Sequence, residues 1–453
     1  MHTSRRVAGF LLFGLVATVC LAEGDGERQR YANRPDDLVP YAKTEIYKDV
    51  PGEKVQFKGA GREVPDPHVD SVKIGLIAPL TYEDHPIVPA GFRPAVGAGP
   101  KAVFGRHMLR GAEMALDDAN REGGYHGIPF ELVRRTDLVQ WGQTSDELVK
   151  FAYEDKVWAV ISGIDSNNNH VLNRATLKAE VPLVNAGSTD PTLTEHSIPW
   201  LVRCINDDRL NSYELLNYIH RVRHFTRIAV LRVNDRDGRV GVEEFIKGAR
   251  RLGTPILLEL RFSNGDTDFR EQLEQLRQLD PEVIALWANP PEGIRILRQA
   301  REMGLQQQFV GFNRLTNPEF VRDAGKAGEG MILAATFNPH SQDPRWVDFQ
   351  SRYRDRFHEA PDTYAAHAYD AARFIVSAIR QAGLNRPRIR DAMYATTEFP
   401  GVTGRIVFDV TMNDISRPWL VRIRDGSLEY FRLPDWPRVE HLTVKVPSGG
   451  SSR

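Results

Sequence analysis

Short apolar runs rich in β-branched residues alternate with amphipathic segments of helical period along most of this chain. The pattern starts with the strand candidate VKIGLIAP at residues 72–79. A helix candidate follows at 105–124, where apolar residues recur every three or four positions before Gly123 and Gly124. Strands that alternate with helices of this length predict parallel sheets with helices on both faces.

The alternation continues to about residue 424, and we expect it to form more than one sheet. About ten strands exceed one comfortable open sheet, so the sequence favours two doubly wound lobes. The further strand candidates are 129–134, 157–162, 182–185, 227–232, 255–260, 282–287, 308–311, 330–335, 404–408 and 418–424. The further helix candidates are 144–155, 168–179, 209–222, 239–252, 268–279, 290–303, 317–324, 344–357, 362–382 and 387–395.

The first 22 residues have the composition of a secretory signal peptide. Arg5 and Arg6 precede an apolar run from Val7 to Ala22, which is shorter than a membrane-spanning helix needs. We therefore expect cleavage after Ala22 and export to the periplasm. Lipid attachment at Cys20 is the alternative, although the preceding Val19 is bulkier than such sites prefer.

Two further segments carry no sustained period. Residues 23–70 are polar and rich in Pro and Gly, which predicts an extended arm that packs on the domain surface through its spaced aromatic residues. Residues 437–453 have the composition of a flexible tail. The formal net charge of the whole chain is −1, so charge gives no reason to expect nucleic acid as a partner.

The common catalytic and metal-binding motifs are missing from the sequence. It contains no HExxH, paired CxxC, GxSxG or acidic calcium loop, and its two cysteines cannot form a metal knuckle. His220 and His224 have the spacing of a helical metal pair, but Arg221 and Arg223 beside them favour a positively charged helix end. We expect no enzyme activity, no metal and no cofactor.

Two polar junctions between a strand and a helix stand out instead. SGIDSNNN follows one strand candidate, and NAGSTDPT follows the next one along the chain. The residues at these junctions are Ser166, Asn167 and Asn168, just before one predicted helix, and Gly187, Ser188 and Thr189 ahead of another helical turn. Strand ends of parallel sheets are usual ligand sites, and free N–H groups with hydroxyls form a neutral cradle for a carboxylate. Simple N-capping is the alternative interpretation.

Taken together, several segments resemble the branched-chain amino-acid (Leu/Ile/Val) binding proteins of bacterial ABC importers over residues 71–432. These segments are VKIGLIAPL, GAEMALDDANREGG, SGIDSNNN, NAGSTDPTLT, RIAVLRVNDRDGRVGVEEF and ILRQAREMGLQQQFVG. The resemblance implies an α/β fold of the periplasmic-binding-protein type I, with two lobes and a three-crossover hinge. The implied crossovers lie near 204–206, 335–338 and 405–408. Lobe one is then 71–203 plus 338–404, and lobe two is 206–335 plus 408–436.

By position, the resemblance also implies ligand contacts. Asn167 takes the place of a serine that holds the ligand carboxylate, and Gly187 and Thr189 complete that grip, with Asn168 and Ser188 beside them. In lobe two the chain departs from the family. Asp237 and Asn289 replace aromatic residues, and Asn313 stands where an acid receives the ligand ammonium.

This departure leaves the ligand open among three classes, because a buried ammonium without a charged partner is costly. Asp237 takes over the missing charge if the ligand is an amino acid. The other two classes are a carboxylate without an amine and a larger polar or aromatic molecule approached by Tyr82 and Trp141.

The sequence as a whole therefore predicts an exported, non-enzymatic receptor. Its lobes close over a small organic ligand and present the closed form to an ABC permease in the inner membrane. The alternative is a regulatory subunit that uses the same fold to sense a ligand without transporting it.

Overall fold

A computed structural model describes residues 54–80, 99–137, 141–196 and 198–433. The predicted signal peptide at 1–22, most of the arm, Tyr82 and the predicted tail at 437–453 lie outside these residues. Among the described helices, none combines the length and apolar character that crossing a membrane requires.

The described residues form fourteen strands and twelve α-helices. The strands are β1 (Val72–Ala78), β2 (Phe130–Thr136), β3 (Ala159–Ser162), β4 (Leu183–Asn185), β5 (Leu201–Arg203), β6 (Ile228–Val233), β7 (Leu258–Phe262), β8 (Val283–Trp287), β9 (Gln308–Gly311), β10 (Ile332–Ala335), β11 (Glu398–Pro400), β12 (Arg405–Val407), β13 (Trp419–Arg424) and β14 (Ser427–Phe431). The helices are α1 (Gly99–Arg121), α2 (Trp141–Tyr153), α3 (Ser166–Ala179), α4 (Thr192–Glu195), α5 (Asp208–Asn217), α6 (Arg236–Arg251), α7 (Arg270–Leu279), α8 (Pro290–Glu302), α9 (Pro318–Ala324), α10 (Pro344–Phe357), α11 (Thr363–Ala382) and α12 (Arg386–Ala395).

The strands are divided between two large sheets. The first has the order β2-β1-β3-β4-β5 and is parallel throughout. The second has the order β14-β13-β10-β9-β8-β6-β7, and it is parallel except that β13 runs antiparallel to both of its neighbours. β11 and β12 form a separate antiparallel pair. The mixed α/β fold with two doubly wound lobes is therefore confirmed, with an antiparallel edge that the sequence pattern did not indicate.

Each sheet lies between two hydrophobic layers. β1 contributes Leu76 to one layer, with residues of α1, α10 and α11, and Ile77 to the other, with residues of α2 and α3. β6 likewise places Leu231 in one layer and Val230 in the other. Because both faces of these strands are buried, they appear in the sequence as continuous apolar runs. We call the first sheet with its helices, including α10–α12, the first lobe, and the second sheet with its helices the second lobe.

The chain passes between the two lobes three times. It leaves the first sheet after β5, leaves the second after β10, and enters the second again after β12. The intervening α10 and α11 pack on the first lobe, where α11 lies along α1.

Some element boundaries differ from the predicted ones. α1 begins at Gly99 instead of 105, and α3 begins at Ser166 instead of 168. α5 ends at Asn217, and a single π-helical turn covers 218–222, where the sequence predicted continuous helix. β5, β11 and β14 were not predicted. They are three to five residues long, and β11 and β14 lie at exposed edges without a continuous apolar run. The helical turn expected after Thr189 is α4.

The described part of the arm, residues 54–70, forms no helix or strand and packs on the first lobe. Its contacts run along α12 and the residues around it, so the arm is ordered by side-chain contacts instead of by its own backbone hydrogen bonds. The contacts are the Phe57 ring 4.7 Å from the Trp200 ring, Arg62 paired with Asp391, Asp66 accepting from the Tyr125 hydroxyl at 2.8 Å, and Asn385 Nδ2 donating to the Gly61 carbonyl at 2.7 Å.

We predict that Gly111→Ala destabilises the first lobe. A Cβ at position 111 of α1 would lie 2.0 Å from the Ala365 carbonyl oxygen of α11, so the two helices would have to move apart. Overpacking of this kind costs about 1–3 kcal/mol of unfolding free energy. The control is Gly142→Ala in α2, where nothing lies within 4 Å of an added Cβ and the better helix former stabilises by up to about 1 kcal/mol. Urea unfolding measures both, and a Gly111→Ala protein as stable as wild type would contradict the prediction.

Candidate functional site

The two sheets present equivalent edges to each other. Within the second sheet, β7-β6-β8-β9-β10 repeats the order β2-β1-β3-β4-β5 of the first. In such a sheet, the helical connections of two neighbouring strands lie on opposite faces of the sheet. A crevice opens at the carboxyl ends of that strand pair. The pairs are β1 with β3 in the first lobe and β6 with β8 in the second. The residues that follow these strands form the walls of the cleft.

A buried amide network holds the first-lobe wall. Asn185, the last residue of β4, donates through Nδ2 to Ser162 Oγ at 3.2 Å and to Asn169 Oδ1 at 2.9 Å, and its Oδ1 accepts from the Ser188 N–H at 3.1 Å. Gly187 allows the two junctions to meet, since a Cβ there would lie 2.9 Å from Gly163 backbone atoms. The strand ends after β3 and β4 are therefore fixed relative to each other before any ligand arrives.

A row of hydrogen bonds crosses from this wall to the second lobe. The hydroxyls of Ser188 and Ser166 lie 3.0 Å apart, and Ser166 donates to Asp237 Oδ1 on α6. The other carboxylate oxygen of Asp237 pairs with Arg314 Nη2 at 2.8 Å, and Arg314 Nη1 donates to Asn289 Oδ1 at 3.2 Å. The row joins uncharged donors of one lobe to a charged pair of the other.

Arg314 also reaches back to the first lobe, where it is hydrogen-bonded to the Tyr364 hydroxyl at the start of α11. Burial acts to lower the pKa of Arg314, but the Asp237 carboxylate outweighs this and raises it, so the guanidinium stays charged. Burial raises the pKa of Tyr364 to about 12, although Arg314 opposes that shift, so the phenol stays neutral.

A second set of contacts joins the lobes beside this row. Arg236, the residue before Asp237, donates to Asp190 Oδ2 at 2.9 Å and to Thr192 Oγ1 at 3.2 Å. His170 Nε2 lies beside them, 3.1 Å from Asp190 Oδ2 and 2.8 Å from Arg236 Nη2. Burial acts to raise the pKa of Asp190, but contacts with His170 and Thr192 and the Arg236 charge lower it to about 2. The aspartate is therefore a permanent anion that attracts the second lobe. We call these four residues the latch.

Thr189 contacts the start of α5. Its carbonyl accepts from the Asp208 N–H at 2.9 Å, and its hydroxyl shares a hydrogen bond with the Asp208 carboxyl. Burial raises the pKa of Asp208 well above its ordinary value, and the Thr189 bond only partly offsets this. Burial thus disfavours a negative charge on Asp208 beside the cleft.

The structure brings some of the predicted site residues together and leaves others apart. Ser188, Asp237 and Asn289 belong to the row across the cleft, and Gly187 and Thr189 lie beside it. Asn167 is half-buried on α3. Trp141, at the start of α2, is 64% exposed. Tyr82 lies outside the described residues.

Asn168 and Asn313 are buried, and both have side-chain atoms without a hydrogen-bond partner among the described residues. Neither side-chain atom of Asn168 has a partner within the described chain, and Asn313 Nδ2 has none there either. Because an unpaired buried polar atom costs free energy, both are available for an incoming polar group.

One detail of the predicted cradle is wrong. Residues 166–168 lie within the first turn of α3, not before it, and the backbone N–H of Asn168 is already bonded to the capping carboxylate of Asp165 at 3.1 Å. The Ser188 N–H is likewise taken by Asn185. The free donors of this wall are therefore hydroxyls and side-chain amides more than backbone N–H groups.

Sequence reasoning missed two residues that contribute most to the row. Ser166 was recognised as part of its junction, but Asn167 was assigned the ligand role, and Arg314 directly follows the predicted Asn313. In each case, the residue that joins the row is one position away from the residue that was predicted. A signal for Arg314 was present, because an arginine just after an apolar strand at a cleft edge must find an anionic partner when it is buried.

Behind the cleft, the three crossings between the lobes are tied together. Buried Arg203 donates to Asn413 Oδ1 at 2.7 Å and to Asp207 Oδ2 at 3.0 Å. Asn206 Nδ2 lies 3.4 Å from the Thr336 carbonyl and 3.4 Å from the Ser416 carbonyl. Each of these two residues therefore joins the first crossing to another one.

His367 of α11 adds another link at the same place. Its Nδ1 donates to the Cys204 carbonyl at 2.8 Å, so Nε2 accepts from the Thr336 hydroxyl at 3.0 Å. Burial lowers the pKa of His367 to about 4, and the Cys204 bond only partly opposes the shift. The histidine is neutral at neutral pH.

No three His, Cys, Asp or Glu side chains in the described ranges are grouped so as to hold a metal ion. The site between the lobes consists of hydroxyls, amides and two ion pairs, Asp237 with Arg314 and Asp190 with Arg236. Such a set can bind and orient a small polar ligand.

Comparison with known proteins connects this geometry to a family. The sequence model described as "Periplasmic binding protein" matches residues 71–426. The Leu/Ile/Val-binding protein homolog 2 of Brucella abortus is 28% identical over 372 residues, which are 80% of this chain and 93% of that protein. An amino acid binding protein of Pseudomonas aeruginosa is 25% identical over 339 residues, covering 74% of this chain and 90% of the relative.

Solved structures share the fold at lower identity. A branched-chain amino acid transporter substrate binding protein from Streptococcus pneumoniae, in complex with isoleucine, has a TM-score of 0.69 at 23% identity, covering 80% of this chain and all of that one. A solute binding protein of an ABC transporter from R. palustris, in complex with benzoate, has a TM-score of 0.69 at 16% identity and covers 80% and 96%. These likenesses establish the two-lobed type I fold.

We predict that Arg236→Gln weakens closure in the absence of ligand. The substitution removes the charge that pairs with Asp190, which is worth about 1–2 kcal/mol for a partly buried contact, or about tenfold in the closed-to-open ratio. Small-angle scattering should show a larger radius of gyration. The control is Arg239→Gln on the exposed face of the same helix, and identical scattering from both variants and wild type would contradict a closing role for the latch.

We also predict a pH dependence of stability from His367. Because its pKa is about 4 when folded and about 6.5 when unfolded, the unfolded chain binds more protons between these values. Stability therefore falls as pH drops through that window, by up to about 3 kcal/mol.

His367→Asn should remove this part of the pH profile of unfolding free energy, measured in urea. Burial raises the pKa of Asp370 and of Asp414 to about 6 each, and this raises stability as pH falls, opposite to the effect of His367. Both carboxyl groups are present in wild type and in the variant, so their contribution cancels when the two profiles are subtracted. Exposed His358→Asn is the control. Parallel profiles for wild type and His367→Asn would show that the expected protonation does not occur.

Proposed function

The chain belongs to the periplasmic binding protein family, and on that premise we propose that it is an exported receptor that closes two lobes over a small carboxylate-bearing ligand. The observation that carries this proposal is the row from Ser188 through Ser166 and Asp237 to Arg314. It joins the lobes through groups that a polar ligand can replace one for one.

The donor chain on the first lobe suits a carboxylate. Ser188 Oγ lies 3.4 Å from the Asp190 N–H, and the hydroxyls of Ser188 and Ser166 continue the chain to its present acceptor, the Asp237 carboxylate. A ligand carboxylate placed against Ser166 would receive the same hydrogen bond. Ser166 is also the first residue of α3, where the helix dipole favours an anion.

Relatives bind ligands of this chemistry. The structure from Streptococcus pneumoniae contains isoleucine, and the one from R. palustris contains benzoate. Both compounds bear one carboxylate, and they differ in whether an amine is present. We propose that Asn167, Asn168, Gly187, Ser188 and Thr189 surround the carboxylate, and that Asp237, Asn289 and Asn313 contact the rest of the ligand from the second lobe. Tyr82 and Trp141 remain predicted to approach the ligand if it is a larger polar or aromatic molecule.

Closure follows from differential binding. A ligand that touches both walls makes its second-lobe contacts only when the lobes meet, so it shifts the open–closed equilibrium by the free energy of those contacts.

We propose the lobe limits as 71–203 with 338–404 and 206–335 with 408–436. Membership of the strands in the two sheets supports these limits.

The finer steps of this role are also part of the proposal. The family implies export to the periplasm, non-enzymatic binding, and delivery of the ligand to an ABC permease in the inner membrane. Uptake of labelled ligand by cells with and without the gene tests delivery. Normal uptake in the deletion strain, together with retained binding by the purified protein, would favour the sensing role instead.

We predict that Ser166→Ala weakens ligand binding. A hydrogen bond to a charged group is worth about 1.5–3 kcal/mol, so affinity should fall about tenfold or more. The ligand is found by mass spectrometry of whatever co-purifies with the protein and by a thermal-shift screen of carboxylates and amino acids. Calorimetry then measures the affinity of wild type and variant.

The matched control is Ser377→Ala, which removes an exposed hydroxyl from α11 of the same lobe and should leave the affinity unchanged. Equal affinities for wild type and Ser166→Ala would place the carboxylate elsewhere. Absence of stabilisation by any organic acid would overturn the receptor proposal itself.

A further inference from the structure

The Arg314 guanidinium faces the cleft with part of its hydrogen-bonding capacity unused. It lies in a single 3-10 turn, Asn313–Leu315, directly after β9, and its side chain is 16% exposed. Its partners are Asp237 Oδ2, Asn289 Oδ1 and the Tyr364 hydroxyl. A guanidinium has five N–H donors, so these three contacts leave donors for a ligand.

An aliphatic ligand suits such a group poorly. Apolar atoms packed against the guanidinium would exclude water from its remaining N–H groups without replacing the hydrogen bonds, which is unfavourable. A carboxylate can instead accept two parallel bonds from the same group. Sites that hold a polar group for a ligand discriminate strongly against analogues without the matching partner.

The Ser166–Asp237 bond shows what else the ligand should carry. It joins a neutral donor of one lobe to an anionic acceptor of the other. A ligand carboxylate takes the donor, and it then repels the Asp237 carboxylate that was bonded there. A ligand ammonium beside that carboxylate satisfies Asp237 Oδ1, while Oδ2 keeps Arg314. The donor and the acceptor of this hydrogen bond therefore match the carboxylate and the ammonium of an α-amino acid.

On the basis of the proposed function, we propose that the ligand is a small amino acid with an acidic side chain. Its α-carboxylate replaces Asp237 at Ser166, its ammonium replaces Ser166 at Asp237, and its side-chain carboxylate binds the remaining donors of Arg314. Arg314 is then the specificity-determining residue, and Asp237 receives the ammonium in place of Asn313.

The charges agree with this assignment. Asp237 and Arg314 neutralise each other, so a ligand of charge −1 adds one negative charge, and the N-termini of α3 and α6 both lie at the row and favour it.

The first test is the selectivity of the wild-type protein. Calorimetry with L-glutamate, L-aspartate, L-leucine, glutarate and benzoate should give at least about tenfold tighter binding for an acidic amino acid than for leucine or benzoate. Glutarate, which lacks the amine, should bind less tightly than glutamate. Tighter binding of leucine or benzoate would overturn the inference and leave the proposed function standing.

Variants then assign the roles. Arg314→Met should weaken binding of the acidic amino acid about tenfold or more while leaving leucine within a few-fold of its wild-type affinity. Asp237→Asn should weaken glutamate more than glutarate. Arg295→Met, an exposed position on α8 of the same lobe, is the control. The unfolding of each variant without ligand is measured first. This shows that the proteins whose affinities are compared are folded.

The experiments distinguish failure of the proposed receptor function from failure of the proposed ligand class. If none of the five probes and no other organic acid binds, the receptor proposal fails and this inference fails with it. If ligands bind but Arg314→Met retains a full preference for the acidic side chain, only the role of Arg314 and the ligand class assigned from it are wrong.

Discussion

The two lobes depend on a few polar side chains buried at the crossings between them. Arg203 is fully buried, and its guanidinium is satisfied by Asn413 and Asp207 on neighbouring chain segments. Asn206 joins the same crossing to the other two. Breaking one partner of such a buried charge is costly, so the crossings stay together. The crossings therefore form one axis between the lobes, and they hold the strand ends in front of them opposite each other.

That axis explains why the cleft chemistry is divided between the lobes. The first lobe supplies hydroxyls held by Asn185, and the second supplies the Asp237–Arg314 pair at its own strand ends. In the proposed complex, each wall contacts a different end of the ligand. The hydrogen bond between Ser166 and Asp237 uses a donor of one wall and an acceptor of the other. A ligand in the cleft would have to replace this bond, so it would be selected by how well its own groups serve as acceptor and donor.

The sequence predicted the fold better than the site. Buried strands such as β6, RIAVLRV, are continuous apolar runs, and their alternation with helices leaves few topologies. Periodicity does not fix a helix start to one residue, so α3 was placed two residues late. Asn167 was preferred over Ser166 because the family resemblance placed it at the position of the carboxylate-binding serine. The Arg314 pairing joins two residues of the second lobe that are 77 positions apart, which no local pattern encodes. β14 was missed because its polar edge residues give no apolar run.

The arm has a mechanical consequence. Its described contacts, through Phe57, Arg62 and Asp66, are with the first lobe, as are the bonds from Asn385. The described arm is thus part of the first lobe, and a motion between the two lobes would leave its contacts with α12 and the surrounding residues in place.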